Sequence, residues 1–152
     1  MSEASEGALR GAELDHVHVY VPDRARAATW YRDVLGLAVV VEHAHWAVDG
    51  GPLTVSGDGG KSGVALFEGA APSSDGEKRR VIALRAAGED FLEFVAGVER
   101  LALVDRHGAA VRAAVVVDHG ESFSIYFSDP WGNPFEVTTY DAELIRARLD
   151  GR

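Results

Sequence analysis

No cysteine occurs anywhere in the 152 residues. Disulfides, thiolate metal ligands and cysteine nucleophiles are therefore excluded outright, and the lack fits a cytoplasmic protein. Positive charge is also scarce: 15 Lys and Arg stand against 24 Asp and Glu, a formal net charge of -9. Nucleic acid and anionic membrane both need basic patches, so neither is an expected partner. No run is long and apolar enough to span a bilayer. Met1 to Glu13 is polar and rich in small residues with no apolar centre, so it reads as a loose tail rather than a signal peptide. A phosphate-binding loop is missing too: Gly57 to Gly60 precede no helix with a Walker lysine, and Lys61 is more simply a hairpin-turn charge. No nucleophile–histidine–acid triad is readable.

What is present is ordinary for a globular protein, with 47% hydrophobic and 26% charged residues. This length most economically forms one compact domain. Leu14 to Val21 alternates like a half-buried strand, with Val17, Val19 and Val21 on one face and His16, His18 and Tyr20 on the other. Asp23 is a natural N-cap for a helix from about Arg24 to Leu35, with Ala27, Trp30, Tyr31 and Val34 inward and Gly36 at its C′ position. Leu37 to Val48 reads as a second strand with His43 and His45 on one face. Glycine turns then bracket a short strand at Leu53 to Ser56, and Gly63 to Glu68 is a fourth.

Gly69 to Lys78 reads as an exposed linker, after which the order restarts. A strand at Arg80 to Ala86 precedes a helix from about Glu89 to Leu101, with Phe91, Phe94, Val95 and Val98 as its buried stripe. Strands follow at about Ala110 to Val117, Phe123 to Ser128 and Pro134 to Tyr140, then a short helix at Ala142 to Leu149. The reading is α+β: βαβββ written twice, with modules at about 14–69 and 80–141 and a C-terminal segment at 142–152. Superimposing the modules sets Val81 opposite His16 and Glu89 opposite Arg24. Helices would cover the apolar face of each sheet, and the polar-lined faces would curl around a shared ligand cup. In the last strand Glu136, Thr138 and Tyr140 point away from Phe135, Val137 and Thr139, leaving one acid among hydrogen-bonding groups.

Three stretches together resemble the vicinal oxygen chelate superfamily, which includes glyoxalase I, extradiol dioxygenases, fosfomycin-resistance thiol transferases and bleomycin-binding proteins. They are His16-Val17-His18-Val19-Tyr20-Val21-Pro22-Asp23, the helix end Trp30 to Leu37, and Tyr126 to Glu136 with its Asp129-Pro130-Trp131-Gly132-Asn133 turn. The resemblance covers roughly residues 14 to 141. It implies that His16 and Glu136 hold one divalent ion (Fe, Mn, Ni or Zn), and that a third ligand comes from the first strand of the second module. Val81 stands at that third position and cannot coordinate anything. His18 and Glu68 offer other donors. The spacing of His119 and Tyr126 resembles the acid–base pair of small dioxygenase-like members.

Two functions follow as expectations. The first is a lyase-like or dioxygenase-like metal enzyme with Glu136, Tyr126 and His119 as catalytic groups. The second is a metal-free protein that sequesters a drug or metabolite. Either would bind a small molecule, with His18, Tyr20, Arg85 and Thr138 lining the cup, and the resemblance implies a homodimer. Blander readings stand beside these: a structural dimer without ligand, Glu136 paired to Arg85, and His16 simply hydrogen-bonded. His43 and His45 would be solvent-side or interface residues, His107 a surface histidine, and Trp131 an exposed lid or subunit contact.

Overall fold

A computed structural model describes residues 14–69 and 81–150. The N-terminal tail, Arg80 and nearly all of the predicted linker lie outside the described residues. The chain divides into two compact units, residues 1–71 and 72–152, each βαβββ in order. No helix among the described residues is long and apolar enough to cross a membrane.

The first unit runs β1 (His16–Val21), α1 (Arg24–Leu35), β2 (Ala38–Val39), β3 (Leu53–Ser56) and β4 (Gly63–Glu68). Its sheet has the order β1-β4-β3-β2, with β1 and β4 parallel and the other pairs antiparallel. Parallel neighbours need a crossover, and α1 supplies it. The helix begins where Asp23 accepts from the Arg26 N–H at 3.0 Å and ends at Gly36, whose φ of 67° is a left-handed conformation that favours glycine. Tyr31 and Ala27 are fully buried beneath it together with Val21, Val55 and Leu66.

The second unit repeats the plan with β5 (Ile82–Arg85), α2 (Gly88–Gly97), β6 (Val117–Asp118), β7 (Phe123–Ser128) and β8 (Pro134–Thr139) in the order β5-β8-β7-β6. The C-terminal helix α3 (Ala142–Asp150) packs against α2, where Asp141 accepts from the Gly88 N–H at 2.6 Å. Phe91, Ile125, Phe127, Phe135 and Ile145 form the core here. The internal repeat is also visible in register. His18 pairs with Ala65 in one unit, and Ala83 pairs with Glu136 in the other.

Ala65 thus pairs with the first strand of its unit as Glu136 pairs with the first strand of the other. Glu68 ends β4 and holds the start of α1, accepting from the Arg24 N–H at 3.1 Å with the guanidinium 3.6 Å away.

Three elements are shorter than their sequence patterns predict. Only Ala38 and Val39 of the Leu37–Val48 stretch pair as strand, and Val41–Trp46 is a 3₁₀ helix. Alternation alone does not make a strand without a neighbour to pair with, and β3 pairs with β2 only through Val55 and Ser56. His43 and His45 therefore share no strand face; both rings lie against Trp46, at 4.1 and 5.5 Å. The Ala110–Val117 stretch likewise keeps only a bridge from Ala110 to Val104, a 3₁₀ turn at Ala113–Val115 and the start of β6. Helix α2 stops at Gly97 rather than Leu101, where three-residue turn bonds from Val98 to Val95, Arg100 to Gly97 and Ala102 to Glu99 take over from the helical ladder.

Candidate functional site

The turn after β7 fixes how β8 enters the sheet. Asp129 is buried, and its Oδ1 accepts from the backbone N–H groups of Trp131 and Asn133 at 2.9 and 2.8 Å. Its Oδ2 accepts from the Asn133 side-chain amide at 2.6 Å. The residues that looked like a simple reversal signal are thus a closed hydrogen-bonded loop around one carboxylate. Trp131 is half-buried there rather than an exposed lid.

Beyond that loop, alternation sends Phe135, Val137 and Thr139 into the core and Glu136 and Thr138 to the open face. β7 does the same, with Tyr126 directly opposite Glu136 and Ser124 opposite Thr138. Ser124 Oγ donates to Glu136 Oε1 at 2.6 Å, the short distance of a hydroxyl on a carboxylate. Thr138 Oγ1 sits 3.0 Å from Ser124 Oγ and 3.2 Å from the Phe123 carbonyl. Ser124 gives its one proton to Glu136, and Thr138 donates to the Phe123 carbonyl.

Tyr126 completes the network. Burial raises the pKa of its phenol, and the charge and hydrogen bond of Glu136 raise it further, with Ser124 pulling weakly the other way. The phenol therefore keeps its proton at ordinary pH. His119 Nε2 lies 3.0 Å from the phenol oxygen. The direction of that hydrogen bond follows the His119 tautomer. Tyr126 also forms one wall of a small cavity of about 170 Å³ lined by Asp105, Ala110, Val111 and Val115.

This arrangement makes a direct prediction in alkali. Tyr126 should ionise above the ordinary phenol value of about 10. Because the folded-state value is the raised one, the stability it contributes is present below the ordinary value and lost as pH rises through the raised one. Ultraviolet titration of Glu136→Gln should bring one tyrosine back toward the ordinary range. An unchanged titration curve would break the coupling.

The structure thus brings Glu136, Tyr126, His119 and Thr138 together within one unit. Ser124 was not singled out as a site residue, although its place two residues before Tyr126 puts it on the same face. Arg85 does not pair with Glu136. Its guanidinium lies 4.5 Å over the Tyr140 ring, a cation–π contact that leaves the carboxylate to the hydroxyls. His107 is exposed in its turn, taking a hydrogen bond from Arg106 Nε at 3.1 Å.

His16, His18 and Tyr20 line the open face of the first sheet, opposite Gly63, Ala65 and Phe67 on β4. His16 Nδ1 bonds Asp15 at 2.6 Å and its Nε2 meets His18 Nε2 at 3.0 Å. Phe67 packs against His18 at 4.7 Å and Tyr20 at 5.9 Å.

A metal centre of the kind the resemblance implies needs His16, a middle ligand and Glu136. Val81, half-exposed just before β5, offers a hydrocarbon at the middle position. Glu136 already accepts the Ser124 hydroxyl, and among the described residues no three His, Asp or Glu are grouped to hold an ion. These residues do not fit a three-ligand centre of that type.

The comparisons with known proteins agree with the architecture. Listeria monocytogenes FosX, a genomically encoded fosfomycin resistance protein, aligns at TM-score 0.62 with 16% identity, over 87% of this chain and 96% of that one. A FosX variant has been solved with Mn(II) and 1S,2S-dihydroxypropylphosphonic acid. The oxidase ChaP-H1 aligns at TM-score 0.61 with 22% identity, over 85% and 96%. The integron cassette protein HFX_CASS4, from the mobile metagenome of the Halifax Harbour sewage outfall, aligns at 0.54 with 18% identity, over 86% and 99%. At such identities the likeness speaks to the fold. No match was found among curated proteins. The family model that matches covers residues 13–137, and the chain belongs to the Glyoxalase/Bleomycin resistance protein/Dioxygenase superfamily.

Proposed function

We propose that the protein binds a small organic molecule on the open face of its second sheet, with Glu136 as a metal-independent anchor and proton acceptor. The observation that carries this is the carboxylate itself: it accepts the Ser124 hydroxyl at 2.6 Å and lies cross-strand from Tyr126, so hydroxyls rather than a cation surround it. A ligand O–H or N–H can replace one of these donors at little electrostatic cost. Tyr126 would return a proton to the ligand, and His119, exposed to solvent, would resupply it. The apolar walls of the cavity beside Tyr126, formed by Ala110, Val111 and Val115, suit a short hydrocarbon arm. Thr138 and the Arg85–Tyr140 pair would border the same face. In this reading the protein works as a homodimer in the cytoplasm.

Whether the ligand is held or turned over separates a sequestering protein from an acid–base enzyme. Val81 favours sequestration, because the Lewis acid that drives the superfamily's chelate chemistry lacks its middle ligand. Catechol, hydroxyacetone and the glutathione–methylglyoxal hemithioacetal are suitable probes, tested by thermal melting and by solvent-deuterium uptake. At least one should raise the melting midpoint by several degrees when present at about a hundredfold over its dissociation constant. Glu136→Gln should weaken that ligand at least tenfold. Deuterium uptake by the probe identifies the enzyme, and its unchanged recovery identifies the binder. The proposal fails if no probe binds, or if Glu136→Gln binds as well as the wild type.

A further inference from the structure

The open face of the second sheet carries a cation that meets no acidic partner among the described residues. Arg24, Arg32, Arg112, Arg146 and Arg148 each meet a carboxylate. Arg85, exposed on β5, instead lays its guanidinium 4.5 Å over the Tyr140 ring. That contact uses the flat face of the group and leaves its fork of N–H donors open at the edge. Its register places it on the ligand face. β5 pairs parallel with β8, so Ala83 lies beside Glu136 and Arg85 beside Thr138. Thr138 supplies no second donor for an anion, because its hydroxyl is turned to the Phe123 carbonyl.

The carboxylates nearby are already matched. Glu136 accepts the Ser124 hydroxyl, and Asp105, at the cavity beside Tyr126, accepts the His107 and Ala109 N–H groups at 2.8 and 2.9 Å. The charge left without a counterpart is therefore positive, and it calls for an anion.

We propose that the ligand of this face is a small hydroxycarboxylate with a short aliphatic arm, its carboxylate held by the edge of Arg85 and its hydroxyl by Glu136. The inference rests on the reading of Glu136 given above and names the class of molecule that reading leaves open. The strand order sets the orientation. Arg85, Glu136 and Tyr126 stand on the successive strands β5, β8 and β7, and the cavity lies against Tyr126. Neighbouring strands are about 4.8 Å apart, so an extended ligand crosses from Arg85 to Tyr126 in roughly 10 Å. Its acid end takes the Arg85 side, because Asp105 would repel it at the cavity. Its hydrocarbon arm then enters between Ala110, Val111 and Val115. Arg85 and Glu136 are diagonal neighbours on adjacent strands. Such pairs stand roughly 7–8 Å apart, which separates the acid from the O–H by roughly two to four bonds.

The test is calorimetric titration of the full-length protein at neutral pH with three matched probes: β-hydroxyhexanoate, its neutral amide and the corresponding amino alcohol. Wild type should bind the acid roughly tenfold or more tightly than the amide, and the amine least. Added salt should shrink that preference. Arg85→Ala and Arg85→Gln should remove it, and Arg85→Lys should keep part of it. Arg26→Ala, which takes the same charge from the exposed surface of α1, should bind as wild type. Glu136→Gln should weaken acid and amide alike, since both carry the hydroxyl. Circular dichroism establishes that each variant is folded. Equal binding of acid and amide, with Glu136 still required, overturns the anionic ligand and leaves the Glu136 reading standing. Acid binding that needs Arg85 but not Glu136 upholds the Arg85 anchor and sinks the Glu136 reading. A preference that survives both Arg85→Ala and Arg85→Gln overturns the inference. So does tightest binding of the amine, or no binding of the acid.

Discussion

Asp129→Ala should destabilise the protein by roughly 2–4 kcal/mol, because it strands buried donors whose partner is removed. Three N–H groups point at this carboxylate: the backbone of Trp131, the backbone of Asn133 and the Asn133 amide. The loop also carries the backbone bond from Asp129 N–H to the Asn133 carbonyl at 2.8 Å, so losing the side chain loosens both ends of the turn. A domain of this size loses about 2–4 °C in melting midpoint for each kcal/mol. The functional consequence comes through β8, since the loop sets the phase at which Glu136 faces Tyr126. Urea denaturation gives the stability and alkaline titration gives the coupling. Asp129→Asn, which keeps the shape and one acceptor oxygen, should cost clearly less than alanine. Equal stability of Asp129→Ala and wild type would mean that solvent meets these donors and the loop does not hold the strand.

Phe135→Ala should cost roughly 3–5 kcal/mol, the range for truncating a fully buried aromatic ring. Phe135 has no exposed surface, and its ring stacks with Phe127 at 6.0 Å and 14°. Phe127 in turn meets Phe94 of α2 at 5.7 Å, so the cavity opens where helix and sheet join. The residue is also the sequence neighbour of Glu136, on the opposite face of the same strand. Phe135→Leu should recover much of the loss, because it refills most of the volume. Thermal unfolding of both variants decides the point. A loss below about 1 kcal/mol in the alanine variant would contradict the assigned core.

Much of this was legible in the chain because it depends on neighbours in sequence. Asp23 and Gly36 mark the ends of α1 through local backbone chemistry, and both do so in the structure. The βαβββ repeat follows from patterning, and in both units the first strand pairs parallel with the last. The grouping of Glu136, Tyr126 and Thr138 was legible for the same reason, since a period of two fixes which face a side chain takes.

What escaped depends on distant partners. The lengths of β2 and β6 are set by how far a neighbouring strand extends, which no local pattern records. The donation from Ser124 needs the cross-strand register, and the turn of Arg85 toward Tyr140 needs its rotamer. The carboxylate that orients His16 is its chain neighbour Asp15. That contact passed unnoticed because adjacent residues on a strand ordinarily face opposite ways.

Ligand binding with and without a chelator tests the central claim most directly. Melting midpoints of untagged protein with each probe should be recorded in excess EDTA, then after adding Mn²⁺, for wild type and Glu136→Gln. The account predicts a ligand-induced rise in wild type that EDTA leaves unchanged, Mn²⁺ does not increase, and Glu136→Gln loses. A rise that EDTA abolishes and Mn²⁺ restores would contradict it, and would make Glu136 a metal ligand despite Val81.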